Sequence, residues 1–346
     1  MTKNILNNKL NFHFLVTLFT LKFYSISTHK ILTLDPYWIT GFTDAEGCFS
    51  IIISNLPSTS ASHESKNYRN SSHKVTASFE INLHSKDQLI LYKIKDYFNI
   101  GYVNIRTDRN IAVFRVTKRT DLINVIIPLF TKYPLLTLKQ KDFVLGADVV
   151  HLMEKGEHLT KQGFEIILRY YAAINRGVVS KNILKNYPNI LPINKNITTL
   201  LPTDIKLNPN WVSGFVAGDG GFHINYREDS RYKLGYKIDY YFSITQHNKD
   251  LALMNLFIEY FNCGGIVDRD KEARCDYIVQ DKNSLLANII PHFTQYNLQN
   301  LKHLDFLEFK EIMLLIKNND HLTSAGFNRI KELILSTKSR RDPNYN

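Results

Sequence analysis

Apolar residues recur along this chain with two different periods, and the switches between them divide it into elements. At 111–117 the pattern alternates: Phe114 and Val116 fall on one side, Val113, Arg115 and Thr117 on the other. A strand with one buried face requires that pattern. The alternation returns downstream, where Phe222, Ile224 and Tyr226 interleave with His223, Asn225 and Arg227. Cys275, Tyr277 and Val279 likewise interleave with Arg274, Asp276, Ile278 and Gln280. Strands are predicted at 48–54, 75–84, 101–107 and 111–117, and again at 221–228, 236–246, 264–270 and 273–280. Apolar positions three and four apart at 139–154, 162–174, 302–317 and 324–336 predict amphipathic helices.

The order of elements occurs twice because the chain is a duplication. Trp38-Ile39-Thr40-Gly41-Phe42-Thr43-Asp44-Ala45-Glu46-Gly47 is echoed by Trp211-Val212-Ser213-Gly214-Phe215-Val216-Ala217-Gly218-Asp219-Gly220. Further blocks match in the same order. Phe79 to Asp87 matches Phe242 to Asp250, Ile126-Ile127-Pro128 matches Ile289-Ile290-Pro291, and Lys139 to Phe143 matches Lys302 to Phe306. Glu157-His158-Leu159-Thr160 matches Asp320-His321-Leu322-Thr323. So long a period excludes a short-repeat solenoid. Each unit reads helix, hairpin, helix, hairpin, helix, helix. Residues 1–33 are set aside as a leader or upstream extension; 34–175 and 209–340 are the repeats, 176–208 an Asn/Pro-rich linker without periodicity, and 341–346 a tail.

The first block of each repeat carries the candidate chemistry. Pro36 suits a helix start and Gly47 a helix stop. Gly41 and Ala45, like Gly214 and Gly218, are small residues four apart on one helix face, so two such helices can pack closely as the interface between the repeats. Glu46 and Asp219 follow directly and would meet at the helix ends. Two adjacent acids suit a hard, oxygen-seeking cation: Mg²⁺, with Mn²⁺ or Ca²⁺ able to substitute for binding. The carbonyls of Ala45 and Gly218 are candidate backbone ligands. Asp44 has Ala217 opposite it and reads as a helix or surface group. Lys139 and Lys302, at matching helix starts, are candidates to offset phosphate charge. Gln246 faces Leu83 across the repeat, so any role for it is one-sided.

Charge and alternation then supply a partner. Lys plus Arg total 43 against 32 acids, a formal charge of +11, which favours nucleic acid. If helices cover the apolar face of each sheet, the polar face is open. Repeat one then presents Ser50, Ile52, Glu80, Asn82, Asn104, Arg106 and Arg115. Repeat two presents His223, Asn225, Arg227, Ser243, Thr245, Val267, Arg269, Arg274, Asp276 and Gln280. Two-stranded ribbons fit the major groove, where Arg, Asn, Gln and Asp read base edges. Loop residues Arg69, Lys74, Arg231 and Lys233 suit phosphates. The three cysteines form no C-x-x-C pair and argue against a disulfide framework or a zinc site; they read as small buried residues. The first 34 residues hold four lysines and no acid. Their apolar run Phe12–Tyr24 is too broken for a membrane span.

On these strings the chain resembles the LAGLIDADG homing endonucleases, specifically the single-chain, two-repeat, intron-encoded fungal mitochondrial type, over roughly residues 35–340. The resemblance implies an α+β fold, a pseudo-twofold duplicated αββαββα arrangement with the motif helices at the interface. Saddle-shaped antiparallel sheets would hold a long asymmetric double-stranded DNA target and cut both strands across the minor groove. It implies metal coordination by Glu46 and Asp219, a basic pocket at Lys139 and Lys302, a monomer without an obligate protein partner or membrane, and a role in mitochondrial intron homing. Ala217 and Gly218 depart from the consensus at positions the family tolerates. Two rivals stand beside this reading. A maturase would bind host intron RNA. A cleavage-dead DNA-binding descendant should have lost Glu46 or Asp219, and both are retained.

Overall fold

Repeat one opens on α1 (Pro36–Glu46), whose start is capped by the Asp35 carboxylate accepting from Tyr37 N–H at 2.8 Å. The computed structural model describes residues 34–55, 73–175, 177–194 and 205–341. The leader, Arg69 and the last five residues lie outside them. From α1 the chain runs through β1 (Gly47–Asn55), β2 (His73–His84), α2 (Gln88–Phe98), β3 (Tyr102–Arg106) and β4 (Ile111–Val116). The helices α3 (119–132), α4 (Lys139–Glu154), α5 (Lys161–Tyr171) and α6 (Lys181–Asn186) follow. Repeat two retraces the path with α7 (Pro209–Asp219), β5 (Gly220–Glu228), β6 (Tyr236–His247), α8 (Leu251–Phe261), β7 (Gly265–Arg269), β8 (Arg274–Val279), α9 (282–295), α10 (Lys302–Lys317) and α11 (Ser324–Arg341). This is the expected α+β duplication. From Asp35 onward the chain clusters as one compact unit.

Each repeat holds one antiparallel sheet, ordered β1-β2-β4-β3 and β5-β6-β8-β7. The register follows the alternation. Phe79 lies opposite Val116 and Ile81 opposite Phe114, while the next pair, Glu80 and Arg115, points the other way. The apolar face is sealed by rings: Phe49 meets Phe143 of α4 at 5.3 Å between centroids, and Phe79 meets Phe130 of α3 at 5.4 Å. In repeat two, Phe222 meets Phe306 and Phe293, each at 5.3 Å.

Local chemistry explains the irregular places. α3 and α9 each contain a π-wound turn, where Ile127 N–H reaches back to Leu122 O and Ile290 N–H to Leu285 O. The prolines that follow, Pro128 and Pro291, have no N–H to continue the ordinary ladder, so the wide turn falls beside them. α2 and α8 stop at left-handed Asn99 and Asn262. The aspartate of each Lys-x-x-Asp-Phe block anchors the end of its repeat. Asp142 accepts from Asn175 N–H at 2.8 Å, and Asp305 from the Arg341 guanidinium at 3.0 Å.

Three expectations need correction. The linker 176–208 is not wholly irregular: α6 forms inside it, with Ile183 buried. Just beyond, Tyr187 packs edge-on against Phe164 and Ile193 N–H donates to Arg169 O, so this segment lies along repeat one. The last helix runs to Arg341 rather than 336. Of the cysteines only Cys275 is buried; Cys48 and Cys263 are half-exposed.

α1 and α7 cross at the centre with every residue of 38–44 and 211–217 buried. A Cβ on Gly41 would lie 2.0 Å from Trp211 O, and one on Gly214 would lie 2.0 Å from Trp38 O. No side chain fits there: the two backbones touch. Gly214→Ala should therefore cost about 3 kcal/mol in urea unfolding, at the upper end for overpacking. Gly265→Ala, whose Cβ would meet nothing within 4 Å, should be near neutral.

Behind α7, buried His292 sits 3.2 Å from Ser213 Oγ and 3.1 Å from Tyr260 OH. Burial pushes its pKa down from 6.5 to about 4. The unfolded chain therefore takes up this proton as pH falls through 6.5 while the folded chain refuses it until about 4, so stability falls with pH across that window. Leu129 occupies the matching position in repeat one. His292→Leu should remove that slope, a difference on the order of 2–3 kcal/mol between the ends of the window, measured by urea unfolding at stepped pH.

Candidate active site and the polar sheet faces

The glycine-to-backbone contact sets the two acids side by side. A Cβ on Gly218 would lie 3.0 Å from Glu46 Cγ and 3.2 Å from Glu46 Oε1, so Glu46 rests over the residue preceding Asp219. Both carboxyls are pushed up, Asp219 to about 6. Burial is the largest cause for each; Lys139 and Lys302 oppose it, and the Glu46 charge raises Asp219 further.

The two lysines occupy equivalent places. Lys139 Nζ donates to Ala45 O at 2.6 Å and Thr43 O at 3.4 Å; Lys302 Nζ donates to Gly218 O at 2.6 Å and Val216 O at 3.1 Å. Each ammonium thus ties the last turn of its own motif helix, where the backbone carbonyls carry partial negative charge. Burial lowers the Lys302 pKa to about 8, with Asp219 and Glu46 working against that fall. The Ala45 and Gly218 carbonyls, candidate metal ligands, each already accept one lysine and retain one lone pair.

Glu46, Asp219 and Lys302 line a cavity of about 400 Å³ together with His223, Asp87 and Arg341. Gln246 Nε2 donates to Asp219 Oδ2 at 2.9 Å. Leu83, its counterpart, has no polar atom to offer Glu46, so the two halves differ at this point. Among the described residues no cluster of three or more His, Cys, Asp or Glu is arranged to hold a metal. What the crossing offers is oxygen only: two carboxylates whose charged forms burial disfavours, and two backbone carbonyls. That donor set fits a hard divalent cation that keeps part of its water shell.

Asp44 is not a surface group. It is fully buried and accepts from Leu136 N–H at 2.9 Å, Thr137 N–H at 3.0 Å, Thr137 Oγ1–H at 2.6 Å and Trp211 Nε1–H at 2.9 Å. It binds the loop leading to Lys139 and a tryptophan of the other repeat at once. In repeat two Ala217 cannot reciprocate. Asn300 donates to Ala217 O at 2.8 Å instead, and Trp38 Nε1 has no partner among the described residues.

The strand register puts the nominated sheet residues on one face, except Gln280, which lies just past β8 because that strand ends at Val279 rather than 280. Ser50 lies opposite Ser78, Glu80 opposite Arg115, Asn104 opposite Val113, Thr245 opposite Asp276 and Arg269 opposite Arg274. They are not equally open. Ile52, Asn82, Asn104, Arg106, Asn225, Arg227, Val267, Arg269 and Gln280 are exposed, whereas Glu80, Ser243 and Asp276 are buried. Glu80 is held by Arg115 at 2.9 Å and Ser78 at 2.8 Å. Asp276 is held by Arg269 and Thr245, each at 2.7 Å. Arg227 pairs with Asp239 at 3.0 Å. His223 stacks on Tyr241 at 4.3 Å, and burial lowers its pKa to about 4. Lys237, Asp239 and Tyr241 share this face and were missed, although the alternation that nominated Ser243 and Thr245 runs straight through them.

Removing the Asp44 carboxylate leaves its buried donors unsatisfied. Asp44→Ala should cost about 3 kcal/mol in urea unfolding and quench or shift the fluorescence of Trp211, the side chain it holds.

With that geometry in view, the family model for LAGLIDADG endonuclease matches residues 39–150 and 212–313, one match in each repeat. The chain is 38% identical over 309 residues to a probable intron-encoded endonuclease 2 of Neurospora crassa, covering 87% of this chain and 64% of that protein. It is 29% identical to a second, probable intron-encoded endonuclease 3, covering 88% and 55%. The chain thus spans under two thirds of the length of these curated relatives. Among solved structures, I-SmaMI bound to cleaved DNA superposes with TM-score 0.79 at 31% identity, over 87% of this chain and 95% of that one. I-SmaMI bound to an uncleaved DNA target in the presence of calcium ions gives 0.78 at 31%, over 87% and 97%. I-LtrWI bound to target DNA gives 0.78 at 31%, over 86% and 95%.

Proposed function

Because the chain belongs to the LAGLIDADG endonuclease family, we propose that it is a site-specific endonuclease that binds one long asymmetric DNA target as a monomer. It hydrolyses a phosphodiester in each strand across the minor groove. The observation that carries this reading is the convergence of Glu46 and Asp219 at the crossing of α1 and α7, between two sheets with polar faces. The solved neighbours with cleaved and uncleaved DNA support it.

The exposed side chains Asn82, Asn104 and Arg106 of one sheet and Asn225 and Arg227 of the other, with Gln280 just past the end of β8, meet base edges and fix the register of the duplex. The repeats differ in these residues, so the target need not be palindromic. Glu46 and Asp219 would hold Mg²⁺, with Ca²⁺ able to take its place for binding; the chemistry such a cation would supply there is a lowered pKa for an attacking water and an offset to charge on the leaving oxygen. Lys139 and Lys302 present positive charge beside the acids, where a scissile phosphate gathers negative charge in the transition state. Gln246, fixed on Asp219, orients that carboxylate on one side only. The intron-encoded fungal relatives support a role in intron homing within mitochondria.

Cleavage of a randomised DNA library with Mg²⁺ should recover one long asymmetric site. Glu46→Gln and Asp219→Asn should each lower cleavage by about a thousandfold or more while retaining DNA binding in a gel-shift assay; normal cutting by either would overturn the assignment. A chelator should abolish cutting and leave folding intact. Exchange of Gln280 should change preference at one base pair, worth about 1–3 kcal/mol; uniform weakening on every sequence would make it a phosphate contact instead.

A further inference from the structure

Neither lysine-bearing helix is capped by its own N-cap residue, although in repeat one Lys139 N–H donates to Thr137 Oγ1 at 3.2 Å. Leu138 and Leu301, at the N-cap positions of α4 and α10, have helical backbone angles and offer no side-chain cap. Orphan N–H groups at a helix start need an acceptor. Each finds one on the other repeat. Leu138 N–H donates to Asp250 Oδ1 at 2.9 Å, and Asp250 ends the short turn after β6 in repeat two. Leu301 N–H lies beside the Asp87 carboxylate and opposes the rise that burial gives its pKa, and Asp87 ends the matching turn after β2 in repeat one. The pairing is reciprocal: repeat two caps the helix of repeat one through Asp250, and repeat one sets Asp87 at the start of the helix of repeat two.

The residue after each cap is the lysine. Lys139 and Lys302 are the first residues of α4 and α10, and from there each reaches across to the carbonyl just before its acid, at 2.6 Å. Where the helix begins therefore decides where the ammonium ends. Asp87 also lines the cavity that holds Glu46, Asp219 and Lys302.

We propose that Asp87 and Asp250 are reciprocal positioning residues: Asp250 places Lys139, Asp87 places Lys302, and each cutting position is completed by the repeat that does not own its lysine. This rests on the endonuclease reading above. Neither aspartate touches the DNA or the metal in this role.

The test is single-turnover cleavage by the full chain, with the recovered target labelled on one strand and then on the other. Asp250→Ala should slow one strand by about tenfold or more, as expected when a catalytic group is misplaced, and leave the other within about threefold, so nicked DNA accumulates. Asp87→Ala should do the same to the opposite strand. Lys139→Ala should reproduce the strand bias of Asp250→Ala, and Lys302→Ala that of Asp87→Ala. Asp250→Asn and Asp87→Asn, which keep a carbonyl acceptor, should recover most of the rate. Should the alanine variants fail to fold, Asp250→Glu and Asp87→Glu shift the acceptor by one methylene and should give a bias of the same sign. Equal slowing of both strands by either variant, as a loss of stability alone would produce, overturns the proposal. So would a strand bias that does not match that of the paired lysine. A wild-type chain that binds DNA but cuts neither strand would sink the endonuclease reading, and this inference with it.

Discussion

Two helix backbones in direct contact are the constraint on which the rest of this molecule depends. Gly41 against Trp211 O and Gly214 against Trp38 O leave no room for a methyl group, and that distance carries everything at the centre. It brings Trp211 within 2.9 Å of the Asp44 carboxylate. It sets Glu46 over Gly218 so that the two acids share one electrostatic environment. It also brings the turns after β2 and β6 near the opposite repeat's long helix. Separating the helices by the width of one carbon would loosen all three at once. A buried crossing without side chains between is costly to alter, which makes it a rigid reference for atoms that must be placed closely.

The sheets follow a looser rule. Their apolar faces are sealed by stacked and edge-on phenylalanines, while the polar faces combine free amides with arginines already tied to acids. Arg115, Arg269 and Arg274 are paired within the face, to Glu80 or Asp276. Asn82, Asn104 and Gln280 are exposed and carry no charge to neutralise. A paired arginine can meet a base only by sharing or leaving its acid, which costs free energy that the right base must return. Such pairing restrains the attraction of a basic chain to any duplex and leaves more of the discrimination to base edges.

Much of this was legible in the residues, and the boundary of legibility has a physical reason. The period of two assigned each strand's faces without knowledge of its partner, whereas the pairing of Glu80 with Arg115 and Thr245 with Asp276 came only with the structure. The helices at 139–154 and 302–317 match α4 and α10 residue for residue because the lysine marks each start. What escaped depends on contacts across the chain. Asp44 read as a helix or surface group, and its burial escaped because nothing local reveals Trp211 approaching from the other repeat. α6 escaped because six residues with one buried isoleucine carry too little periodicity to stand out. The capping aspartates stood in plain sight within a repeated block, yet their partners lie in the other repeat. The roles proposed for Glu46, Asp219 and the two lysines rest on family likeness and on the geometry of the crossing.

The indole of Trp38, unmatched among the described residues, records what it means for both halves to share one polypeptide. Had the two units been separate copies of one gene product, replacing the buried aspartate by alanine would have struck twice, removing the acceptor from both tryptophans together. In a fused chain the same change is felt once: Ala217 leaves Trp38 unanswered while Asp44 still holds Trp211. Leu83 beside Gln246 and Leu129 beside His292 are differences of the same kind. Fusion halves the dose of every mutation, and so lets a lineage explore unequal halves, and hence unequal targets, one step at a time.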